Sequence, residues 1–274
     1  MDNYIGLNIA RKRKELGYTQ QRLAEKLNIS FQAVSKWEKG AAAPDISLLP
    51  QIAHILNTSV DALVGYSYEP KTVYEEKYRS EEYYWGMAPS RLCYDIMKLM
   101  PPIKPLRILD IGCGEGKNAV FFARNGYKVS AFDIADSGLE KARRLAEYNS
   151  VDVDFFKADI NEYKPNGEYD IIFSSGVFHY ASLGKRKALV DNLKGCTAVH
   201  GINAINVFVN KPFIDVAPDM EDIEKQVEPW YSGELFGYYH DWLFHKNEET
   251  IFDCNSGGIP HRHCMNILIA ERVV

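Results

Sequence analysis

Three acids and four glycines crowd one stretch of this chain. Residues 107–134 read RILDIGCGEGKNAVFFARNGYKVSAFDI, with Asp110, Gly112, Gly114, Glu115 and Gly116 at the turn and Asp133 near the end. Glycines let a backbone turn tightly and let a ligand approach with no Cβ in the way. Asp133 follows Gly112 by 21 residues. In a strand–turn–helix–strand unit that spacing brings a carboxylate to the crevice edge, where it accepts hydrogen bonds from both hydroxyls of a ribose. The elements that must hold this geometry are legible around it: an apolar strand at 107–111, a helix opening after Gly116 and a second strand at 128–133. The chemistry implied is nucleoside binding.

The glycine spacing narrows the nucleoside. A dinucleotide fingerprint is G-x-G-x-x-G with a pyrophosphate on the helix N-terminus. Here the run is D-I-G-C-G-E-G, and acids at Asp110 and Glu115 suit a cation better than a pyrophosphate. S-adenosylmethionine offers a sulfonium and an ammonium, so Asp110 is expected at its amino-acid end, with Gly112 and Gly114 as backbone walls. Cys113 reads as a packed thiol, because nothing near it supplies a base. Together, L-D-I-G-C-G-E-G, F-D-I at 132–134 and K-A-D-I-N at 157–161 resemble class I S-adenosylmethionine-dependent methyltransferases. That resemblance implies Asp159 as the adenine-binding acid, with Ile134 and Ile160 as further cofactor contacts.

Residues 66–88, YSYEPKTVYEEKYRSEEYYWGMA, are polar, acidic and crowded with tyrosine. One account is a linker whose aromatic side chains glue two domains together. The YYWGMAPS stretch also resembles the aromatic segment before the first strand in methyltransferases of the tellurite-resistance type. This implies a lid of Tyr78, Tyr83, Tyr84 and above all Trp85, whose faces surround the sulfonium through cation–π attraction.

From Pro89 the chain alternates helix and strand. A helix is expected over 90–99 and strands at 107–111, 128–133, 153–158, 169–174 and 202–209, with a final antiparallel pair at about 239–247 and 264–271. These make a seven-stranded, Rossmann-like α/β sheet. The fourth strand ends in F-S-S-G-V-F-H-Y. Ligands sit outside the carboxyl ends of such strands, so Ser175, Gly176, Val177 and His179 should face the methyl donor. No Asn/Asp-Pro-Pro-aromatic motif stands there to hold a base amino group, so methylation of DNA is not expected.

The C-terminal polar cluster holds His240, His245, Cys254, His261, Arg262, His263 and Cys264. On a strand, His261 and His263 share one face, half of a metal site. No C-x-x-C or second His-rich motif completes it, and no metal is expected. The tellurite-resistance resemblance also covers Gly233 to Leu235, Trp242 and the His-Arg pair. It implies His261 and Arg262 as substrate residues, the arginine clamping an oxyanion or carboxylate and the histidine moving a proton. An exposed turn leading into a strand is the other account. A further carboxylate on the substrate side has only Asp215 and Asp219 as nearby candidates.

The first 66 residues differ in kind. They carry eight basic and six acidic residues, a net +2 that leaves −7 on the rest of a chain at −5. Their apolar spacing predicts five short amphipathic helices, with Thr19 and Ser30 as N-caps and Gly17 and Gly40 at helix ends. Residues 5–65 closely resemble the phage-repressor-like, or XRE, helix-turn-helix family. That implies a first motif helix over 20–27, a turn at Asn28, Ile29 and Ser30, and a recognition helix over 31–39 lying in a major groove. By position in the motif, Gln32, Ser35 and Lys36 contact bases, Gln20 and Ser30 meet phosphate, and Val34 and Trp37 are core. Phe31 packs on a thymine methyl or on its own scaffold. The RKRK run at 11–14 reads as a solvated helix face that helps at the phosphates. A protein-docking module is the other account of this domain, since +2 is modest for a DNA binder.

At 274 residues, 46% hydrophobic and 25% charged, the chain has room for two domains: 1–66, a linker or lid at 67–88, and 89–274. Five scattered cysteines argue for a reducing cytoplasm, and neither a signal peptide nor a membrane span is expected. Two functions fit. One is a methyltransferase acting on a small soft nucleophile, a thiol or a metalloid or chalcogen oxyanion, carried by a DNA-binding homodimer. The other is a transcription regulator whose second domain senses S-adenosylmethionine with little turnover.

Overall fold

Thr19 and Ser30 start two helices by the same device. The hydroxyl of Thr19 accepts the Arg22 N–H at 3.1 Å and that of Ser30 the Ala33 N–H at 3.2 Å, each satisfying an amide that the first helical turn leaves open. The computed structural model describes residues 4–65, 72–215, 228–255 and 259–274. The chain divides into two units, Met1–Pro70 and Lys71–Val274. Among the described residues no helix is long and apolar enough to cross a membrane.

In the first unit, α1 (Tyr4–Glu15), α2 (Gln20–Leu27), α3 (Phe31–Glu38), α4 (Leu49–Ile55) and α5 (Val60–Val64) surround a core of Ile9, Leu23, Val34, Ile52 and Leu63. Asn28, in left-handed backbone at φ 53°, turns α2 into α3. The RKRK run, expected as a solvated helix face, is not all solvated. Arg13 is 8% exposed, and its guanidinium grips Glu38 at 2.6 and 2.8 Å and donates to the Tyr18 carbonyl. One member of the run therefore clamps α1 to α3, because the helical period turns it inward.

The second unit is a seven-stranded sheet in the order β3-β2-β1-β4-β5-β7-β6. Strands β1 (Arg107–Ile111), β2 (Lys128–Asp133), β3 (Val153–Lys157), β4 (Tyr169–Ser175) and β5 (Thr197–Val209) run parallel. β7 (His261–Glu271) is antiparallel to β5 and to β6 (Leu243–Cys254). Helices cover both faces, so β1 is buried from Ile108 to Ile111, as a parallel strand with two covered faces must be. One face packs against α7 (Arg91–Leu99), α8 (Lys117–Arg124) and α9 (Asp136–Tyr148). The other packs against α10 (Arg186–Gly195), Trp230, Leu235 and Tyr239.

β6 differs from expectation: it starts at Leu243 and reaches Cys254 rather than spanning 239–247. Tyr239 lies in the preceding turn, fully buried, its hydroxyl accepting the Asn203 amide at 2.9 Å. Core packing holds it off the sheet edge. β7 likewise begins at His261, three residues early.

Candidate functional site

The order of the strands reverses between β1 and β4, and the crevice outside their carboxyl ends is where ligands of such sheets sit. Gly112, directly after β1, has φ +70°, and a Cβ there would fall 2.3 Å from Val177 Cγ2. Only glycine lets the β1 and β4 loops close together. Gly114 donates its N–H to Asp133 Oδ2 at 2.8 Å, while Asp133 Oδ1 accepts from Ala135 at 2.9 Å. Burial raises the Asp133 carboxyl and these backbone bonds partly oppose that rise. The acid at the end of β2 thus pins the glycine turn and remains at the crevice edge.

Asp110 is 1% exposed, and its Oδ2 has no hydrogen-bond partner among the described residues. Burial, reinforced by the charge of Asp133, pushes its carboxyl up to about 8. An unpartnered buried carboxyl oxygen costs free energy unless a donor arrives, and an ammonium supplies one.

Glu115 does not do what the sequence suggested. It is 4% exposed, pairs with Lys141 at 2.8 Å, and accepts the N–H groups of Tyr84 and Trp85 at 3.1 and 3.3 Å. Its charge goes into tethering the aromatic segment, whereas Asp110 keeps an oxygen with no partner among the described residues.

That segment belongs to the second unit. Tyr78, 5% exposed, lies so close to α9 that a Cβ on Gly138 would meet its Cδ2 at 2.8 Å, and its hydroxyl is 3.0 Å from where a Gly114 Cβ would stand. Trp85 donates its indole N–H to that hydroxyl at 3.1 Å and is 42% exposed. Tyr83 caps Lys141, whose ammonium sits 5.3 Å from its ring centroid, and Tyr84 packs edge-on against Trp85 at 4.8 Å. Sequence reasoning missed Tyr74, in α6 (Val73–Lys77). Tyr74 stacks on Tyr78 at 5.6 Å, lies 5.9 Å from Trp85 and receives the Tyr180 hydroxyl at 2.9 Å. Its i, i+4 spacing from Tyr78 was the available signal.

Asp159 caps its own loop, accepting from the Asn161 N–H at 2.8 Å; Ile160 beside it is buried and Ile134 half-buried. Ser175, at the end of β4, donates to Ser90 at 3.3 Å and receives the Asn206 amide at 3.0 Å, and Asn206 also holds the Gly176 N–H at 2.6 Å. Asn206 was not foreseen. It lies on β5 in register with Ser175, a pairing invisible in sequence.

His179 is buried, and neither ring nitrogen has a hydrogen-bond partner among the described residues. Burial, then the nearby His263, holds it down at about 3, so it is neutral. Its ring lies 5.0 Å from Phe208, which lies 4.7 Å from His263. The strand alternation matters here. His261 and His263 are half-buried on one face, whereas Arg262 between them is exposed and registers with Asp253 on β6. The His-Arg pair is therefore split across the sheet, and it is His263, not Arg262, that joins the ring row with His179. Asp215 is exposed, and Asp219 falls outside the described residues.

In the first unit Gln32 and Lys36 are exposed on α3, Ser35 is half-buried, and Val34 and Trp37 are core. Ser30 is the exposed cap of α3, and Phe31 is 42% exposed. Gln20 directs its amide to Glu38 at 2.7 Å.

Comparison with known proteins places both units. Residues 9–63 match the helix-turn-helix family, and residues 72–257 match the family described as tellurite resistance protein TehB. A probable S-adenosyl-L-methionine-dependent methyltransferase TehB of Haemophilus influenzae is 23% identical over 208 residues, covering 74% of this chain and 66% of the relative. A second one from that species is 25% identical over 160 residues, 57% of this chain and 53% of the relative. The chain thus spans between half and two thirds of these relatives' lengths. The crystal structure of TehB from Haemophilus influenzae superposes with a TM-score of 0.60 at 22% identity, over 73% of this chain and 65% of that one. At that identity the likeness is one of fold alone. The match over more than half its length, following a helix-turn-helix unit, makes this chain a member of the TehB family.

Proposed function

We propose that the second unit is an S-adenosylmethionine-dependent methyltransferase acting on a small soft nucleophile, a thiol or a metalloid or chalcogen oxyanion. The observation that carries it is the acid pair at the switch point: Asp110 with an unpartnered buried oxygen, and Asp133 at the end of β2 holding Gly114. The two Haemophilus influenzae relatives, both probable S-adenosyl-L-methionine-dependent methyltransferases, support the cofactor and the reaction type. When bound, the cofactor supplies a methyl group already activated on a sulfonium. The chain's own residues bind, orient and exclude water.

Asp110 receives the ammonium, Asp133 the ribose hydroxyls, and Gly112 and Gly114 offer backbone without side chains. Asp159, Ile160 and Ile134 border the adenine. Tyr74, Tyr78 and Trp85 form an aromatic wall suited to a sulfonium. Ser175, fixed by Asn206 and Ser90, lines the acceptor side. His179 at about 3 is too weak a base to deprotonate an amine or hydroxyl near neutrality. It fits an acceptor that needs no base, which favours soft nucleophiles. His261 lies on the acceptor side, with Arg262 on the far face of β7 as a clamp only for a substrate reaching around that edge. The first unit, a five-helix DNA-binding domain over 1–66, would place a homodimer of this enzyme on an operator in the cytoplasm.

The test is incubation of the full chain with S-adenosylmethionine labelled at the methyl group and a panel of thiols, metalloid oxyanions and small amines. Labelled product from a thiol or oxyanion, lost in Asp133→Ala, supports the reading. Tight cofactor binding with no product from any acceptor overturns it in favour of a sensor.

A further inference from the structure

His261 and His263 share a face of β7, and the hairpin register adds a third donor that the sequence concealed. Cys254, near the end of β6, is the direct cross-strand partner of His261. Cross-strand partners project to the same side of a sheet. The Cys254 Sγ and one ring nitrogen of each histidine all lie within 4.8 Å of one another, and all three residues are half-buried.

The imidazoles are oriented as well as gathered. His261 Nδ1 stands 2.7 Å from the Ile259 carbonyl oxygen. A carbonyl only accepts, so Nδ1 carries the proton and donates it there, which leaves Nε2 unprotonated and facing His263. Nε2 is 2.9 Å from His263 Nε2. Metal-binding histidines are held in this way, the second ring N–H donating to a backbone carbonyl and fixing the tautomer. The rings of His261 and His263 are nearly perpendicular, at 87°, so their nitrogens converge without stacking.

We propose that Cys254, His261 and His263 form a site for one borderline-soft divalent cation of the Zn2+ type. A thiolate and two imidazoles are the donor set such ions prefer, whereas Mg2+ and Ca2+ demand oxygen. Bonds of about 2.0 to 2.3 Å put tetrahedral ligand atoms roughly 3.3 to 3.8 Å apart, a contraction that side-chain rotation at an accessible hairpin end supplies. Three protein ligands leave one coordination position open, the pattern of an ion that receives an exogenous ligand. The ring row from His263 through Phe208 to His179 puts that ion on the same side of the sheet as His179. The site needs no methyl donor to load, so it stands or falls apart from the methyltransferase reading.

The full chain, stripped with a chelator and dialysed against Co2+ as a spectroscopic substitute for Zn2+, tests this. One equivalent should bind with a thiolate-to-cobalt charge-transfer absorption, and Zn2+ should displace it. Cys254→Ser should abolish that absorption. His263→Asn should weaken Zn2+ binding by more than the roughly 10- to 100-fold that loss of an outer partner costs. His240→Asn, an exposed histidine outside the cluster, should bind as the parent does. Circular dichroism verifies that each variant is folded. Substoichiometric binding by the parent chain, or a charge-transfer absorption that survives Cys254→Ser, overturns the site.

Discussion

Glu115 Oε1 lies 2.8 Å from Lys141 Nζ, with the two side chains 3% and 10% exposed. The same carboxylate accepts from Tyr84 and Trp85, and the same ammonium donates to the Glu82 carbonyl at 2.6 Å. One buried ion pair therefore joins the glycine turn, α9 and the aromatic segment, three parts of the crevice that the chain does not otherwise connect in sequence.

Lys141→Met should cost the second unit about 3 to 5 kcal/mol, because it strands a buried carboxylate. Adding Glu115→Leu removes the stranded charge, and the double variant should be no less stable than Lys141→Met alone. Its affinity for S-adenosylmethionine should stay low, since residues 82–85 have lost their anchor. Urea unfolding with calorimetry separates the two effects. Strictly additive losses in stability would refute the idea that the pair acts as one unit.

Asp110 gives a pH dependence with a definite sign. Its carboxyl is raised to about 8 by burial and by Asp133, so the group is protonated in the free protein near neutrality. Relative to the unfolded chain it contributes stability that is complete below the ordinary Asp range of about 3.9 and is lost as pH rises toward 8. A cationic ligand needs the ionised form, and binding at pH 6.5 should expel a proton. Cofactor affinity should then rise with pH, by up to about tenfold per unit, and level off above 8. Calorimetry in buffers of different ionisation enthalpy counts the proton. A profile that is flat from pH 6 to 8, or one unchanged in Asp110→Asn, would remove Asp110 from the cofactor site.

The acids at 110 and 133 were legible in sequence because the glycine turn fixes local backbone and the spacing to the next strand end is nearly rigid. The caps at Thr19 and Ser30 were legible for the same reason, a bond closed within three residues. What escaped depends on distant register. Glu115 looked like a partner for a cation and is one, but the cation is Lys141, 26 positions along the chain. Cys254 joined the histidines only through the length and pairing of the last hairpin, and a one-residue slip there would turn it to the other face. The separation of Arg262 from His261 was within reach, since adjacent residues on a strand point oppositely.

The first unit should be sensitive to acid. Burial opposes ionisation of Glu38, but hydrogen bonds from Arg13 and Gln20 overcome it and hold the carboxyl below its ordinary range. Such a group contributes stability present above the unfolded carboxylate range and lost as pH falls through its lower folded value. Glu38→Gln, which leaves the Arg13 charge buried at 9% exposure, should destabilise this unit by about 3 to 5 kcal/mol near neutrality. It should also flatten the unit's acid unfolding profile. Trp37 packs in that core, but Trp37 is one of four tryptophans, so exchange of the α3 amides is the cleaner readout. Protection equal to that of the parent would show the clamp to be dispensable.

The same clamp changes what to expect of DNA contacts. Gln20 gives its amide to Glu38 at 2.7 Å, so Gln20→Ala should weaken binding through α1–α3 packing, in proportion to lost stability. Lys36 is exposed on α3 and touches DNA directly if the domain binds as its family implies. With the full chain on its own upstream sequence, a dimer should protect two half-sites about one helical turn apart, and affinity should fall steeply with salt. Lys36→Ala should either lower the salt slope by about one, marking a phosphate contact, or relax sequence preference at constant slope, marking a base contact. Either result puts α3 against the DNA, and the second puts it in the groove. A full chain that protects no site, and whose weak binding is indifferent to Lys36→Ala, would show that the helix-turn-helix unit serves protein docking instead.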